Sequence, residues 1–499
     1  MQHNNLQPGH LVMVDLEGKS LDADTADFLR THHIRAVCLF RKNLGTEAEV
    51  RKLTADLRDV MGPLALIGID QEGGSVIRAT FLPQAPAAMA LGACGDLEQA
   101  RQVGAAVSRG LRSLGINWNF APVLDVNNNP ANPVIAERSF SADPIAVARL
   151  AGAWMEGAMS EGVACSVKHF PGHGDTHTDS HHALPTVDKS LAELEALELI
   201  PFRMLASTAP AVMTAHIVYP QIDPEHPATL SHKVLTGVLR EAIGYQGVVI
   251  TDALMMKAVH DRYGHARAAV LALQAGADLV LAQGARHEQL AALQAIGAAM
   301  QSDALDAAAL QTACNRVDDL ARRFPLRTTP YRDVQQALDV ALMNKAWARG
   351  LTAIGGPTPP ARDTPLRVIA QASVASDGVS EAGLPLEQIQ ELFASFTDVQ
   401  YLPIAALRDL DVQTLPRDGR RNVLVSNHHG RYQQSSAQTE GVDLHLAIWN
   451  PFQVLDIQAP AIVTWGYADG ALVALKAWLQ GETTAPGVAP VALVSQTKA

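Results

Sequence analysis

Eight short apolar runs, each followed by a longer stretch with helical spacing, fill the chain from His10 to Ala282, and that alternation limits the fold more than any other feature. The runs are His10–Leu16, Ile34–Phe40, Leu64–Asp70, Asn117–Val126, Val163–Phe170, Ala211–His216, Gly247–Asp252 and Ala277–Ala282. Each is rich in β-branched residues and apolar on both faces, the pattern of a parallel strand covered by helices. Intervening stretches such as Leu97–Leu114 and Pro144–Glu161 carry Ala, Leu and Val at helical spacing. Eight βα repeats predict an α/β fold that begins with a (β/α)8 TIM-type barrel. A doubly wound open sheet is the alternative, but no GxGxxG follows the first run to support it.

The pattern changes from Ala341. Asp339–Ile354 reads as one helix, and Gly355–Pro365, with four prolines in eleven residues, reads as an extended linker. A second set of strands follows at Leu366–Ser373, Asp398–Ile404, Asn422–Asn427, Asp443–Trp449 and Ala461–Tyr467, with helical stretches at Ser380–Phe393 and Ala471–Gln480. Thr483–Ala499 reads as a final strand with a loose tail. The expected organisation is therefore a barrel over residues 1–340, a helix and Pro-rich linker over 341–365, and a smaller α/β sandwich over 366–499. A length of 499 residues agrees with this, since a barrel of about 250 residues or more leaves room for one further domain.

Composition excludes several classes. With 48% hydrophobic and 18% charged residues, the chain is neither disordered nor fibrous. A net charge of −12 and the lack of any Lys/Arg run argue against nucleic acid as a partner. No basic segment precedes an apolar one at the N-terminus, and no stretch of about 18 apolar residues occurs, so neither a signal peptide nor a membrane partner is expected. Cys38, Cys94, Cys165 and Cys314 form no CxxC pair and read as free thiols in a reducing compartment, which makes the cytoplasm the default address.

In a (β/α)8 barrel the chemistry lies at the carboxyl ends of the strands. The third run ends in Asp70, the fourth carries Asp125, the fifth ends in Lys168-His169, the sixth in His216 and the seventh in Asp252. An Asp at one strand end is often only the next helix's N-cap. Ionisable or polar groups at five of eight ends are hard to explain by packing. The segment Lys168–Pro185 holds five histidines of the chain's 18. His169, His173, His177 and His181 are spaced by four, but Pro171, Gly172 and Gly174 break the helix that would turn the spacing into a metal stripe. The segment reads as a long loop on the catalytic face, suited to acid–base work or substrate binding. Within it, Asp179 stands two residues before His181, and a carboxylate beside an imidazole raises its pKa and fixes its tautomer. Gly73-Gly74, after Asp70, lets backbone approach a ligand closely.

Five ordered motifs carry a resemblance: DQEGG (Asp70–Gly74), NFAPVLDVN (Asn119–Asn127), ERSF (Glu137–Phe140), KHFPGHG with DSH four residues on (Lys168–His181), and TDALMMKA (Thr251–Ala258). Together they resemble glycoside hydrolase family 3, and the histidine-rich string resembles its β-N-acetylhexosaminidase branch. The resemblance implies a retaining exo-β-N-acetylglucosaminidase acting on terminal β-linked N-acetylglucosamine of muropeptide or peptidoglycan fragments. It implies Asp252 as the nucleophile, His181 as the general acid/base paired with Asp179, and Asp70, Arg78, Arg138, Lys168 and His169 as contacts of the terminal sugar. No metal or organic cofactor is implied, the partner is a small carbohydrate, and a monomer is the default. Two departures stand out: Ser75 follows the Gly-Gly pair where the family often has Arg, and Ala253 follows the nucleophile position where an acidic residue is common. The alternatives are a β-glucosidase or β-xylosidase of the same fold, which the DSH loop disfavours, and a non-catalytic binder of cell-wall sugars.

Overall fold

The computed structural model describes residues 6–180, 184–376, 379–433, 437–438 and 440–493. Eight strands form one parallel sheet: β1 (Val12–Asp15), β2 (Ala36–Leu39), β3 (Leu66–Ile69), β4 (Trp118–Asn119), β5 (Ala164–Phe170), β6 (Ala211–Thr214), β7 (Val248–Ile250) and β8 (Val280–Leu281). Their order is β7-β6-β5-β4-β3-β2-β1-β8, and a parallel bridge from Ile250 to Leu279 brings the two ends together. The result is a nearly closed eight-stranded barrel with helices outside it. Each of the eight apolar runs contains one of these strands. The fourth is much shorter than its run. After Asn119 only Val123 returns to the ladder, through a bridge to Lys168, because Pro122 has no N–H to give to a neighbour.

Side chains alternate across each strand, and the alternation decides what reaches the barrel mouth. Met13, Ala36, Leu66, Trp118, Ala164, Ala211, Val248 and Leu281 pack into one interior cluster, while Val12, Val14, Val37, Ile67, Val167, Val212 and Val249 pack outward under the helices. Counting on by two from Leu66, Ala164 and Val248 gives Asp70, Lys168 and Asp252. All three therefore continue the inward row past the apolar floor. The helix Ala307–Arg323 plugs the opposite end with Val317 and Leu320. Gly68 lies in the inward row because Phe120 fills that space: a Cβ there would stand 2.4 Å from the Phe120 ring.

The second sheet has six strands: β9 (Thr352–Ile354), β10 (Leu366–Gln371), β11 (Val399–Ile404), β12 (Arg421–Ser426), β13 (Leu444–Ala447) and β14 (Ala461–Val463). They run in the order β9-β14-β13-β12-β10-β11, all parallel except β9, which is antiparallel to β14. β9 differs from the expected single helix Asp339–Ile354. The helix spans Asp333–Gly350, and the chain then turns extended. Gly350 is its last residue, and its carbonyl is taken by Trp465 Nε1 at 2.7 Å and Thr352 Oγ1 at 2.8 Å, which stops the next turn. The expected helix Ser380–Phe393 shrinks to Leu386–Leu392, starting after Pro385, whose ring is tolerated at a helix start and not within. In the C-terminal segment, Pro486 bridges Thr352 antiparallel without forming a longer strand, and residues 494–499 lie outside the described ones.

Candidate active site

A cavity of about 380 Å³ opens at the carboxyl ends of the barrel strands, with Asp70, Glu72, Arg78, Arg138, Lys168, His169 and Asp252 in its wall. Apolar side chains complete it, among them Phe40, Met213, Met255, Met256 and Leu281. Five of the expected sugar contacts and the expected nucleophile thus share one space.

The polar wall is a chain of buried charges. Lys168 Nζ lies 2.7 Å from Asp70 Oδ1 and 2.6 Å from Glu72 Oε1. Arg138 grips the same Glu72 carboxylate with Nε at 2.9 Å and Nη2 at 2.8 Å, a two-pronged pair. Burial alone pushes the Glu72 carboxyl up, but the charges of Arg138 and Lys168 overcome it and hold the group well below the usual carboxylate range. Burial likewise works against the Lys168 ammonium, and Asp70 and Glu72 reverse it, so Lys168 stays charged. The strand-end reading of the sequence misses Glu72, which lies two residues past Asp70 inside the DQEGG motif and shares the charge of two buried cations, Lys168 and Arg138.

A second chain fixes His169. Asp125, fully buried, accepts from His169 Nδ1 at 2.6 Å and from the backbone N–H of His169 at 3.2 Å and of His173 at 2.6 Å. Burial opposes ionisation of Asp125, and the neighbouring His169 more than offsets it, so its carboxyl is lowered. Asp125 is thus a holder of His169 and of the loop start rather than part of the cavity wall. His216 is likewise behind the wall, with Nδ1 at 2.8 Å from Thr229 Oγ1 and Nε2 at 3.0 Å from Ala253 O.

Asp252 follows β7 and lines the cavity; its Oδ1 accepts from the Ala253 N–H at 2.7 Å, and its own N–H donates to Thr214 Oγ1 at 3.3 Å.

The histidine-rich loop is pinned at its base. His173 is buried, with Nδ1 2.8 Å from Thr176 Oγ1 and Nε2 3.1 Å from Ser180 Oγ, and burial lowers its pKa to about 4. Asn132 Nδ2 donates to the His173 carbonyl at 2.8 Å. Gly174 is required where it stands, since a Cβ there would meet the Val126 carbonyl at 1.7 Å. Asp179 lies on this loop, half-buried, next to the buried Ser180. His181, the expected acid/base, lies outside the described residues.

The second domain reaches the site, which the sequence does not show. Val379 lines the cavity, and its carbonyl accepts from Arg78 Nη1 at 2.8 Å. Glu381 Oε1 stands 3.2 Å from the same nitrogen. Ser75, the departure after Gly-Gly, donates through Oγ to Glu137 at 2.6 Å, and Trp449 of the second domain donates to the same Glu137 oxygen at 3.0 Å. Ser75 therefore joins a contact between domains rather than the cavity.

A (β/α)8 barrel with a buried cation–carboxylate wall and a strand-end Asp in one cavity has the layout of a barrel enzyme's active site. Residues 6–320 match the glycosyl hydrolase family 3 N terminal domain. The chain belongs to that family. It is 34% identical over 394 residues to Beta-hexosaminidase A of Pseudoalteromonas piscicida, covering 72% of this chain and 62% of that relative, so it spans about three-fifths of that relative's length. It is 38% identical over 283 residues to Beta-hexosaminidase of Neisseria meningitidis serogroup C (strain 053442), covering 55% of this chain and 78% of the relative. A solved family 3 β-N-acetylglucosaminidase from Paenibacillus sp. str. FPU-7 superposes with a TM-score of 0.88 at 34% identity, covering 98% of this chain and 99% of that one.

Proposed function

We propose that this chain is a retaining exo-β-N-acetylglucosaminidase that removes terminal β-linked N-acetylglucosamine from muropeptide or peptidoglycan fragments. The observation that carries the reading is Asp252 facing the same cavity as the Lys168–Asp70–Glu72–Arg138 wall. The names of the similar proteins support it for the sugar. The domain assignment goes with it: residues 1–340 as the catalytic barrel, 341–365 as helix and linker, and 366–499 as the second domain.

Each residue has a task in this reading. Asp70, Lys168, His169, Arg138 and Arg78 hold the terminal sugar through its hydroxyl and acetamido oxygens. Lys168 and Asp70 form one donor and one acceptor held 2.7 Å apart, a fixed fork for adjacent hydroxyls. The Asp252 carboxylate attacks the anomeric carbon and forms a covalent glycosyl-enzyme as the glycosidic bond breaks. His181, oriented by Asp179, gives its proton to the departing oxygen. The neutral imidazole then takes a proton from water, which attacks the same carbon and frees Asp252. An imidazole in place of the usual second carboxylate departs from the general two-carboxylate scheme. Four free cysteines suit a cytoplasmic address, where recycling of wall fragments is the corresponding role.

Asp252→Asn tests the proposal. Turnover of p-nitrophenyl β-N-acetylglucosaminide falls by on the order of a thousandfold or more, while N-acetylglucosamine binding measured by calorimetry persists. Unchanged turnover would remove Asp252 from the mechanism, and with it the reading.

A further inference from the structure

We infer that Glu381, in the second domain, is a positioning residue for the sugar contact Arg78, and that the second domain sets substrate affinity through it. The inference rests on the proposed reading of Arg78 as a contact of the terminal sugar.

Arg78 follows the hairpin formed by Gln71–Gly73 and Val76–Ile77, whose Glu72 also belongs to the cavity wall. A free arginine side chain has rotamer entropy to lose before it can serve a rigid ligand. The barrel supplies little to hold this one: its own Gln71 Oε1 accepts from the Arg78 backbone N–H at 2.9 Å, and no barrel group is bonded to the guanidinium among the described residues. The guanidinium is held from the other domain, by Val379 O at 2.8 Å and Glu381 Oε1 at 3.2 Å, both on Nη1. Arg78 Nε is buried and has no partner among the described residues. A buried N–H beside a cavity without an acceptor suits a ligand oxygen that supplies one.

Glu381 is itself anchored at both ends of its peptide. Its N–H donates to the Ser75 carbonyl at 2.9 Å, on the hairpin, and its carbonyl accepts from Tyr467 at 2.8 Å. Tyr467 packs on Trp449 with ring centroids 4.7 Å apart, and Trp449 donates to Glu137, the partner of Ser75. The carboxylate that orients Arg78 is therefore tied to the same hairpin that carries Glu72. The barrel and the second domain fix one face of the cavity jointly.

A double-mutant cycle on the full chain tests this, with kinetics on p-nitrophenyl β-N-acetylglucosaminide for Glu381→Ala, Arg78→Ala and the double variant. Glu381→Ala is expected to raise KM about tenfold, the size of a coupled contact, with kcat changed less than about twofold. The double variant is expected to match Arg78→Ala alone, and Glu381→Gln, which keeps an acceptor oxygen, to recover most of the loss. Additive losses, a fall in kcat at constant KM, or unaltered kinetics for Glu381→Ala would each overturn the inference. Should the wild-type chain turn over only p-nitrophenyl β-glucoside, the proposed sugar is wrong, and the same cycle on the glucoside still decides whether Glu381 acts through Arg78. With neither glycoside turned over, the cycle is read from calorimetric binding of N-acetylglucosamine, and absence of binding to the wild type overturns both readings.

Discussion

Both sheets of this protein are built mainly from parallel strands with apolar faces, yet the ends of their strands do opposite things. The barrel strands finish in Asp70, Lys168-His169 and Asp252, and these charges converge on a cavity. Three strands of the second sheet, β10, β12 and β14, end at or next to amides and hydroxyls that are bonded within that domain. Asn427 accepts from the Gln371 N–H at 3.0 Å and donates to Gln371 O at 2.9 Å and Leu384 O at 2.8 Å. Ser426 Oγ lies 2.7 Å from Tyr432 OH and 2.8 Å from His445 Nε2, with all three groups buried. Thr464 Oγ1 donates to its own loop at Gly466 O, 2.6 Å away. Polar strand ends are thus not a site in themselves. Neutral groups that satisfy each other lock a loop; charged groups that share one opening hold energy available to a ligand.

The largest expected contrast comes from Lys168→Met. It leaves Asp70 and Glu72 without their shared cation, and breaking a buried ion pair from one side costs about 3–5 kcal/mol. Stability measured by denaturant titration is expected to fall by that amount, with KM rising as well. A variant of normal stability and normal KM would show that the barrel rim is as self-contained as the second sheet.

An intermediate effect is expected from pH. The His173 pKa is lowered by burial to about 4, against an ordinary value near 6.5. Above 6.5 the imidazole is neutral folded and unfolded, so its contribution is level there. Between 6.5 and about 4 the unfolded chain takes up a proton that the folded one refuses, and stability falls as pH falls; below about 4 the loss is complete. A shift of that size corresponds to at most about 3 kcal/mol. His428, lowered to about 4, and His445, lowered to about 3, add losses in the second domain over overlapping ranges. The groups acting on His173 are His169, Asp125 and Arg138 together with the Thr176 and Ser180 hydroxyls. Replacing His173 by Asn should flatten the acid limb of melting temperature against pH without abolishing it. An unaltered limb would place the acid sensitivity in the other groups with lowered pKa values, His10, Glu72 and Asp125 of the barrel and His428 and His445 of the second domain.

The smallest effect sharpens the contrast from the other side. Asn427→Ala strips three hydrogen bonds from the second sheet and should cost about 1–2 kcal/mol, with kcat and KM unchanged. A raised KM would mean that the second sheet, and not only its 379–381 segment, shapes the cavity.

Much of this layout is legible in the sequence, for a physical reason. A strand buried on both faces must be apolar throughout, so the eight runs stand out, and a period of two carries the inward row from Leu66 to Asp70 and from Val248 to Asp252. Lys168 and His169 are visible in the same way at the end of β5. Glu72 is hidden because it lies beyond its strand, on a hairpin, where no period applies. β9 is hidden because Leu351–Ile354 is short and apolar enough to extend the helical pattern past Gly350, and only packing against β14 decides its state. Val379 and Glu381 are hidden because nothing in a linear pattern reports a contact with Arg78 made across a separation of 301 and 303 residues. Ser75 is legible as a departure but not in its consequence, since its partners are Glu137 and, through it, Trp449.

The most direct test of the central claim compares initial rates on p-nitrophenyl β-N-acetylglucosaminide and p-nitrophenyl β-glucoside with one preparation of the full chain. The account predicts strong preference for the N-acetyl sugar. Preference for the glucoside would contradict it, leaving the barrel and Asp252 in place but overturning both the proposed substrate and the pairing of Asp179 with His181 as acid/base.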